Sequence, residues 1–158
     1  MSEQVKYPKA DLLKRFVAFL IDYILAGLVS FVPFIGGIVG TAYMLLRDGF
    51  EWDFMKHRSI GKTLLKLKVI VLEGEKKIPD LSVSVQRNWI FAIPTALMII
   101  PIIGWILVIP VSLIIYIFEG VKVINGPDGR RYGDTFAKTI VIEEEKEVQV
   151  SSEQNKTT

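Results

Sequence analysis

Hydrophobic positions in this chain gather into two long blocks instead of recurring at a helical or strand period. Phe16 to Leu46 is thirty-one residues with a single charge, Asp22, and Asn88 to Phe118 is thirty-one with none. About 18 consecutive apolar residues suffice for a membrane-spanning helix. A soluble helix of this kind would need apolar protein on every side, which the polar remainder of the chain cannot supply. Yet each block is too long for one span, since a rod of about 31 residues measures roughly 46 Å against a hydrocarbon core near 30 Å. Both blocks break in the middle, at Val32-Pro33-Phe34-Ile35-Gly36-Gly37 and Ile100-Pro101-Ile102-Ile103-Gly104-Trp105. Proline followed by glycine stops a helix and reverses the chain, so each block predicts a helical hairpin. Extension through Ala10-Asp11-Leu12-Leu13 and Leu81-Ser82-Val83-Ser84-Val85 lengthens the first helix of each hairpin. That leaves Arg15 and Arg87 to snorkel toward headgroups.

The two halves repeat. A shift of seventy-two places Arg15 on Arg87, and lays Arg58 through Ile70 on Arg130 through Ile142 with six of thirteen pairs identical. The hairpin tips match at a shift of sixty-eight, Pro33 and Gly36 falling on Pro101 and Gly104. Each unit reads as arginine, hairpin, an acidic-glycine turn (Asp48-Gly49, Glu119-Gly120), then Gly-x-Thr-x-x-Lys and a β-branched run. Even span counts make the units parallel, related by an axis along the membrane normal. The β-branched runs Lys68–Glu73 and Thr139–Glu143 predict strands that pair as a small ribbon joining the units. Glu73-Gly74-Glu75-Lys76-Lys77 and Asn125-Gly126-Pro127-Asp128-Gly129 read as turns.

Charge sets the orientation. All nineteen Lys and Arg lie outside the blocks, nine of them between Arg47 and Arg87, and the hairpin tips carry no charge. Basic loops stay cytoplasmic, so hairpins put both termini and the middle loop on the inner side. The expected fold is an all-α membrane protein of two transmembrane helical hairpins in tandem parallel repeat, with a small cytoplasmic β-ribbon. Residues 1–9 form a cytoplasmic N-terminus and 10–142 the membrane domain, with repeat units 15–70 and 87–142. Residues 143–158 form an acidic and polar tail with little to bury, read as disordered. The first block is too long for a signal-peptide core and has no small-residue cleavage site, so it reads as a retained anchor.

Composition narrows the function classes. Hydrophobic residues make up 51% and mean hydropathy is +0.40, well above a soluble chain of this size. Net charge is only +2, with no aromatic-plus-basic reader pattern, so nucleic acid is not an expected partner. The chain has no cysteine, which removes disulfides, thiolate chemistry and cysteine-ligated metals. No Ser-His-Asp set, phosphate loop or paired metal motif is present, so neither an enzyme nor a cofactor is expected. His57 is a lone histidine, and Asp48, Glu51 and Asp53 lack a calcium-loop pattern.

Asp22 carries the most information, because an ionised side chain inside an apolar span costs several kcal/mol and must be paired, protonated or wet. Arg15 lies about 10 Å away along the helix, too far for direct contact. A partner from another helix is required, and Arg87 is a candidate. Asp22 reads equally as a proton or cation site and as a fixed ion pair. Asp134 in Gly133-Asp134-Thr135 and Lys62 in Gly61-Lys62-Thr63 are repeat counterparts. They would either face each other as an ion pair across a pseudo-twofold axis, or leave Asp134 as a helix cap. Gly36-x-x-x-Gly40 is a close-packing face.

These motifs resemble the RDD family of small prokaryotic membrane proteins, named for one arginine and two aspartates. Arg15 through Asp22 is similar to its opening motif, Ser59 to Ile70 with Arg87-Asn88 to its middle, and Gly133-Asp134 with Ala137 to Val141 to its close. The resemblance covers residues 10 to 142. It implies a multi-pass protein of the prokaryotic cytoplasmic membrane engaged in transport of small ions or ligands. Cation/proton exchange with Asp22 titrating is the sharpest version. The alternative is a membrane scaffold or accessory subunit whose cytoplasmic loops bind a partner or anionic lipid. Expected partners are the lipid bilayer and either a second copy or another membrane protein.

Overall fold

The computed structural model describes residues 7–33, 35–73 and 77–144. The tip residue Phe34, the Gly74-Glu75-Lys76 turn, the first six residues and the tail beyond 144 lie outside the described residues. The fold is mostly helical with one small antiparallel sheet. Its elements run α1 (Leu12–Ser30), α2 (Ile35–Leu46), α3 (Ile60–Leu64), β1 (Leu67–Val71), α4 (Leu81–Leu97), α5 (Ile103–Asn125), α6 (Tyr132–Phe136) and β2 (Thr139–Glu143).

Local chemistry starts these helices where the sequence places them. Asp11 accepts the backbone N–H of Lys14 at 2.9 Å and Asp80 that of Val83 at 2.8 Å, so α1 and α4 begin at the expected extensions. Ser59 caps α3 through the N–H of Lys62. Val32-Pro33 and Pro101-Ile102 separate α1 from α2 and α4 from α5. At each reversal a glycine lets the backbones touch: a Cβ on Gly36 would strike the Val29 carbonyl, and one on Gly104 the Leu97 carbonyl.

One turn is absent. Glu119-Gly120 lies inside α5, which continues to Asn125. The apolar period Ile114, Ile117, Phe118, Val121, Ile124 runs through the glycine, and one mid-helix glycine costs only about 1 kcal/mol. At 23 residues α5 is long and apolar enough to cross a membrane, and is the one described helix that meets that test. Helix α2 has 12 residues, about 18 Å.

The ribbon organises the two halves. β1 pairs with β2 in antiparallel register from Leu67↔Glu143 to Val71↔Thr139, so Val69 lies opposite Val141, its own counterpart in the repeat. A twofold axis through the ribbon requires that pairing. Lys66 and Lys138, also counterparts, both take left-handed backbone at φ 52° and 51° between the short helix and the strand. Each short helix packs on the first long helix of its own half, α3 on α1 and α6 on α4. Gly61 lies against the Ala18 carbonyl and Gly133 against the Arg87 carbonyl.

The long helices depart from that symmetry. α2 packs extensively on α4, where a Cβ on Gly37 would fall within 3 Å of the Ile99 and Met98 backbone. No comparable packing joins α5 to α1. At the tip offset Gly37 corresponds to Trp105, so α5 lacks the small residue that admits a neighbouring backbone. Polarity is inverted relative to an ordinary core. Arg47, Asp48, Arg87 and Asp134 are at most 1% exposed, whereas Ile106, Ile109 and Ile114 on α5 are at least 66% exposed.

Gly61→Ala and Gly133→Ala should each lower stability by about 1–3 kcal/mol, because the added methyl meets a backbone carbonyl. Gly120→Ala, which meets open space, should raise it by about 0.5–1 kcal/mol. Denaturant titration of the three variants measures both signs.

Candidate functional site

A chain of buried charges runs between the halves. Asp22, on the inner face of α1, accepts Arg47 Nη1 at 3.1 Å, the Tyr43 hydroxyl at 2.9 Å and the backbone N–H of Gly61 at 2.9 Å. That N–H is free to donate because it sits in the first turn of α3. Arg47 also donates to Asn88 Oδ1 at 3.2 Å, and Asn88 Nδ2 donates to Asp48 Oδ2 at 3.0 Å. Asp48 takes the Lys62 ammonium on its other oxygen and lies 3.8 Å from Arg87 Nε.

The chain ends on Asp134. Arg15 Nη2 and Arg87 Nη2, the repeat-related arginines, each donate at 2.8 Å, one to each carboxylate oxygen. Arg131 adds its Nη2 at 3.1 Å and its backbone N–H at 3.2 Å. Three of the polar residues singled out in the sequence therefore converge: Arg15, Arg87 and Asp134. Asp22 stands apart with Arg47.

Two expected pairings are corrected. Arg87 is not the partner of Asp22; Arg47 from the end of α2 reaches it, while Arg87 faces α6. Lys62 does not face Asp134, because Asp48 sits fourteen residues before Lys62 and takes its ammonium. Arg15 and Arg87 do not snorkel: Arg87 is fully buried and the Arg15 side chain is 11% exposed, both turned inward onto Asp134. The capping expectation for Asp134 holds in altered form, with its carboxylate at the third helical position accepting the N–H of Arg131.

Burial and pairing oppose each other here. Burial disfavours the charge on Asp134, but Arg131, Arg87 and Arg15 outweigh it and hold the carboxyl well below the usual range. Asp48 is held low in the same way by Lys62, Arg87 and Arg47 against its burial. Lys62 is pushed down to about 7, because burial and the nearby arginines outweigh the attraction of Asp48.

Glu119 is the residue that sequence reasoning passed over. It is 2% exposed; its Oε2 accepts the N–H of Tyr132 at 2.7 Å, while Oε1 is buried with no partner. It serves α6 as Asp22 serves α3, by taking an N–H of the first turn. The uninterrupted apolar period through Gly120 was the signal that places it on a helix.

Between α1 and α5, where the counterpart of the α2–α4 packing is missing, lies a cavity of about 320 Å³. The two helices meet at its far end, where Tyr23 hydrogen-bonds Ser112 at 3.0 Å and Phe19 packs edge-on against Tyr116 at 5.0 Å. Toward the ribbon they part. Leu12, Phe16 and Leu20 line one wall and Gly120 and Val123 the other, with Arg15, Asp22, Arg47, Lys62, Glu119 and Arg131 on its buried side. No cluster of three potential metal ligands occurs among the described residues, and Asp48 is committed to Lys62 while Glu51 faces His57 at 3.6 Å. Comparison with known protein families, characterised proteins and solved structures returns no match.

Asp134→Asn should cost about 3–5 kcal/mol, since three buried arginines then share no anion. Thermal melting against the wild-type chain measures it. Asp48 and Asp134 have folded-state pKa values below their ordinary 3.8. Their stabilisation is therefore complete above that value and declines as pH falls through the acid range. The melting midpoint should drop steeply below about pH 4, and less steeply in Asp134→Asn.

Proposed function

We propose that this chain is a multi-pass protein of the prokaryotic cytoplasmic membrane, of RDD type, that takes part in transport by holding a ligand in the cleft between α1 and α5. In this reading α1, α2, α4 and α5 lie in the bilayer, and both termini, the basic loops and the ribbon lie on the cytoplasmic side. The inverted distribution of polarity supports it, because isoleucines exposed along α5 find their solvent in hydrocarbon. Trp52, Trp89 and Trp105 are also exposed, as interfacial tryptophans are. The short α2 is accommodated by its packing against α4 and by local thinning of the bilayer.

The observation that carries the functional part is the cleft itself, apolar along its outer walls and lined by ionic residues on its buried side. Its position inside one chain supports a ligand site complete without a second copy. Asp22, held by three hydrogen bonds, is placed as a strut between α1, α2 and α3. Glu119, with one oxygen unpartnered at the cleft, is the carboxyl placed to exchange a proton with its contents. In the exchange version of the function the titrating role thus passes from Asp22 to Glu119.

A chain without cysteine suits single-cysteine labelling. With a membrane-impermeant maleimide, Lys77→Cys should react only from the cytoplasmic side, and Val32→Cys and Ile100→Cys only from the exterior. Gly120→Cys should react from the cytoplasmic side, whereas Ile114→Cys on the outer face of the same helix should not. Exterior labelling at position 77 would overturn the orientation, and an inert Gly120→Cys in lipid-stripped protein in detergent would overturn the cleft as a ligand site.

A further inference from the structure

The chemistry of the cleft names the class of ligand. We infer that it binds a single-chain lipid anion, the acyl chain between α1 and α5 and a carboxylate or phosphate headgroup at the buried arginines. This rests on the cleft being the ligand site.

Charge balance is the first argument. The groups lining its buried side and directly behind it are Arg15 and Asp22 of α1, Arg47 and Asp48 at the end of α2, Lys62 of α3, Arg87 of α4, Glu119 of α5, and Arg131 and Asp134 at α6, while Lys14 and Glu143 beside the ribbon pair with each other. Five are cations and three are aspartates, each aspartate already bonded to at least one cation. Glu119 takes the backbone N–H of Tyr132 and lies in the field of Arg131. With Glu119 counted, five basic side chains face four acids, and a cluster this deeply buried carries one positive charge in excess when Lys62 is protonated, which an anion would complete.

Unmade hydrogen bonds are the second. Arg47 Nε and Glu119 Oε1 are buried without partners, both residues are at least 98% buried, and both line the cleft. Buried polar atoms are rarely left unmade, and two around one cavity mark a place where a polar group belongs. Arg47 Nε donates to an oxyanion, and Glu119 in its protonated form donates through Oε1.

Shape is the third. Away from the charges the cleft is walled by Leu12, Phe16, Leu20 and Val123, which offer an alkyl chain contact and no polar partner. A volume of about 320 Å³ stands at the lower end of the small-ligand range of about 300–1,000 Å³, matching one chain and not two. Open between two helices with apolar outer faces, it admits an amphiphile sideways from the bilayer. A free inorganic anion would satisfy the arginines and leave the walls empty.

Native mass spectrometry of the full chain in non-ionic detergent, titrated with oleate, oleoyl lysophosphatidate, oleyl alcohol and inorganic phosphate, tests this. Oleate or the lysophosphatidate should bind one per chain, about tenfold or more tighter than oleyl alcohol, which has the tail without the charge. Inorganic phosphate should not compete at equal concentration. Gly120→Phe fills open space in the cleft and should abolish the lipid adduct while leaving the melting midpoint unchanged or higher. Arg131→Gln leaves Asp134 two arginines and should weaken the anionic adducts without altering that of oleyl alcohol. Equal binding of oleyl alcohol and oleate, both lost in Gly120→Phe, would overturn the anion and leave the cleft as a ligand site. Phosphate displacing oleate would overturn the lipid in favour of a free anion. Adducts that survive Gly120→Phe would overturn both this inference and the cleft as the binding site.

Discussion

A charge taken out of water must be met by another charge or by fixed hydrogen bonds, and the architecture of this protein follows from where those meetings occur. Asp134 is the main one. Its two oxygens are shared between Arg15 from the first half and Arg87 from the second, each at 2.8 Å. Neither arginine can leave without stranding charge in a place with no solvent. α1, α4 and α6 are thus fixed at one point, and Asp22, Arg47, Asn88 and Asp48 carry the connection on to α2 and α3. Apolar residues join the halves as well, Ala26 and Met44 packing against Phe91 and Ala92, and Ile70 against Ile140 and Ile142.

That inversion explains what could be read from sequence and what could not. The two apolar blocks, their Pro-Gly breaks and the extensions through Ala10 to Leu13 and Leu81 to Val85 are local signals, and α1, α2, α4 and α5 follow them closely. The ribbon was legible for a different reason: repeat counterparts related by a twofold axis must meet in antiparallel register, and Val69 faces Val141. The error at Glu119-Gly120 came from giving a glycine more weight than the apolar period running through it. A helix whose outer face is held by its environment tolerates such a glycine.

The candidate site was legible as a set of residues but not as a set of contacts. Arg15, Arg87, Asp22, Lys62 and Asp134 stand out as polar identities in an apolar or repeated setting, and every one of them is in the buried ionic chain. Who pairs with whom depends on helix packing that sequence spacing does not encode. Arg47 sits beside Asp22 because α2 is short enough to end at that depth. Asp48 then follows it into the interior and claims Lys62. The cleft was invisible for the same reason, being the result of a helix contact that symmetry would permit and Trp105, in place of a second Gly37, does not supply.

The twofold ribbon with a single aspartate at the junction bears on how the halves depend on each other. Two copies of the first half would bring Lys62 to both short helices and confront Arg15 with a like charge. Two copies of the second would supply the acid twice but lose Arg47 and Asp48, which connect it onward. The segments have become complementary instead of interchangeable, so neither could self-associate into the whole, and the covalent link between Val71 and Leu81 joins parts that already require one another.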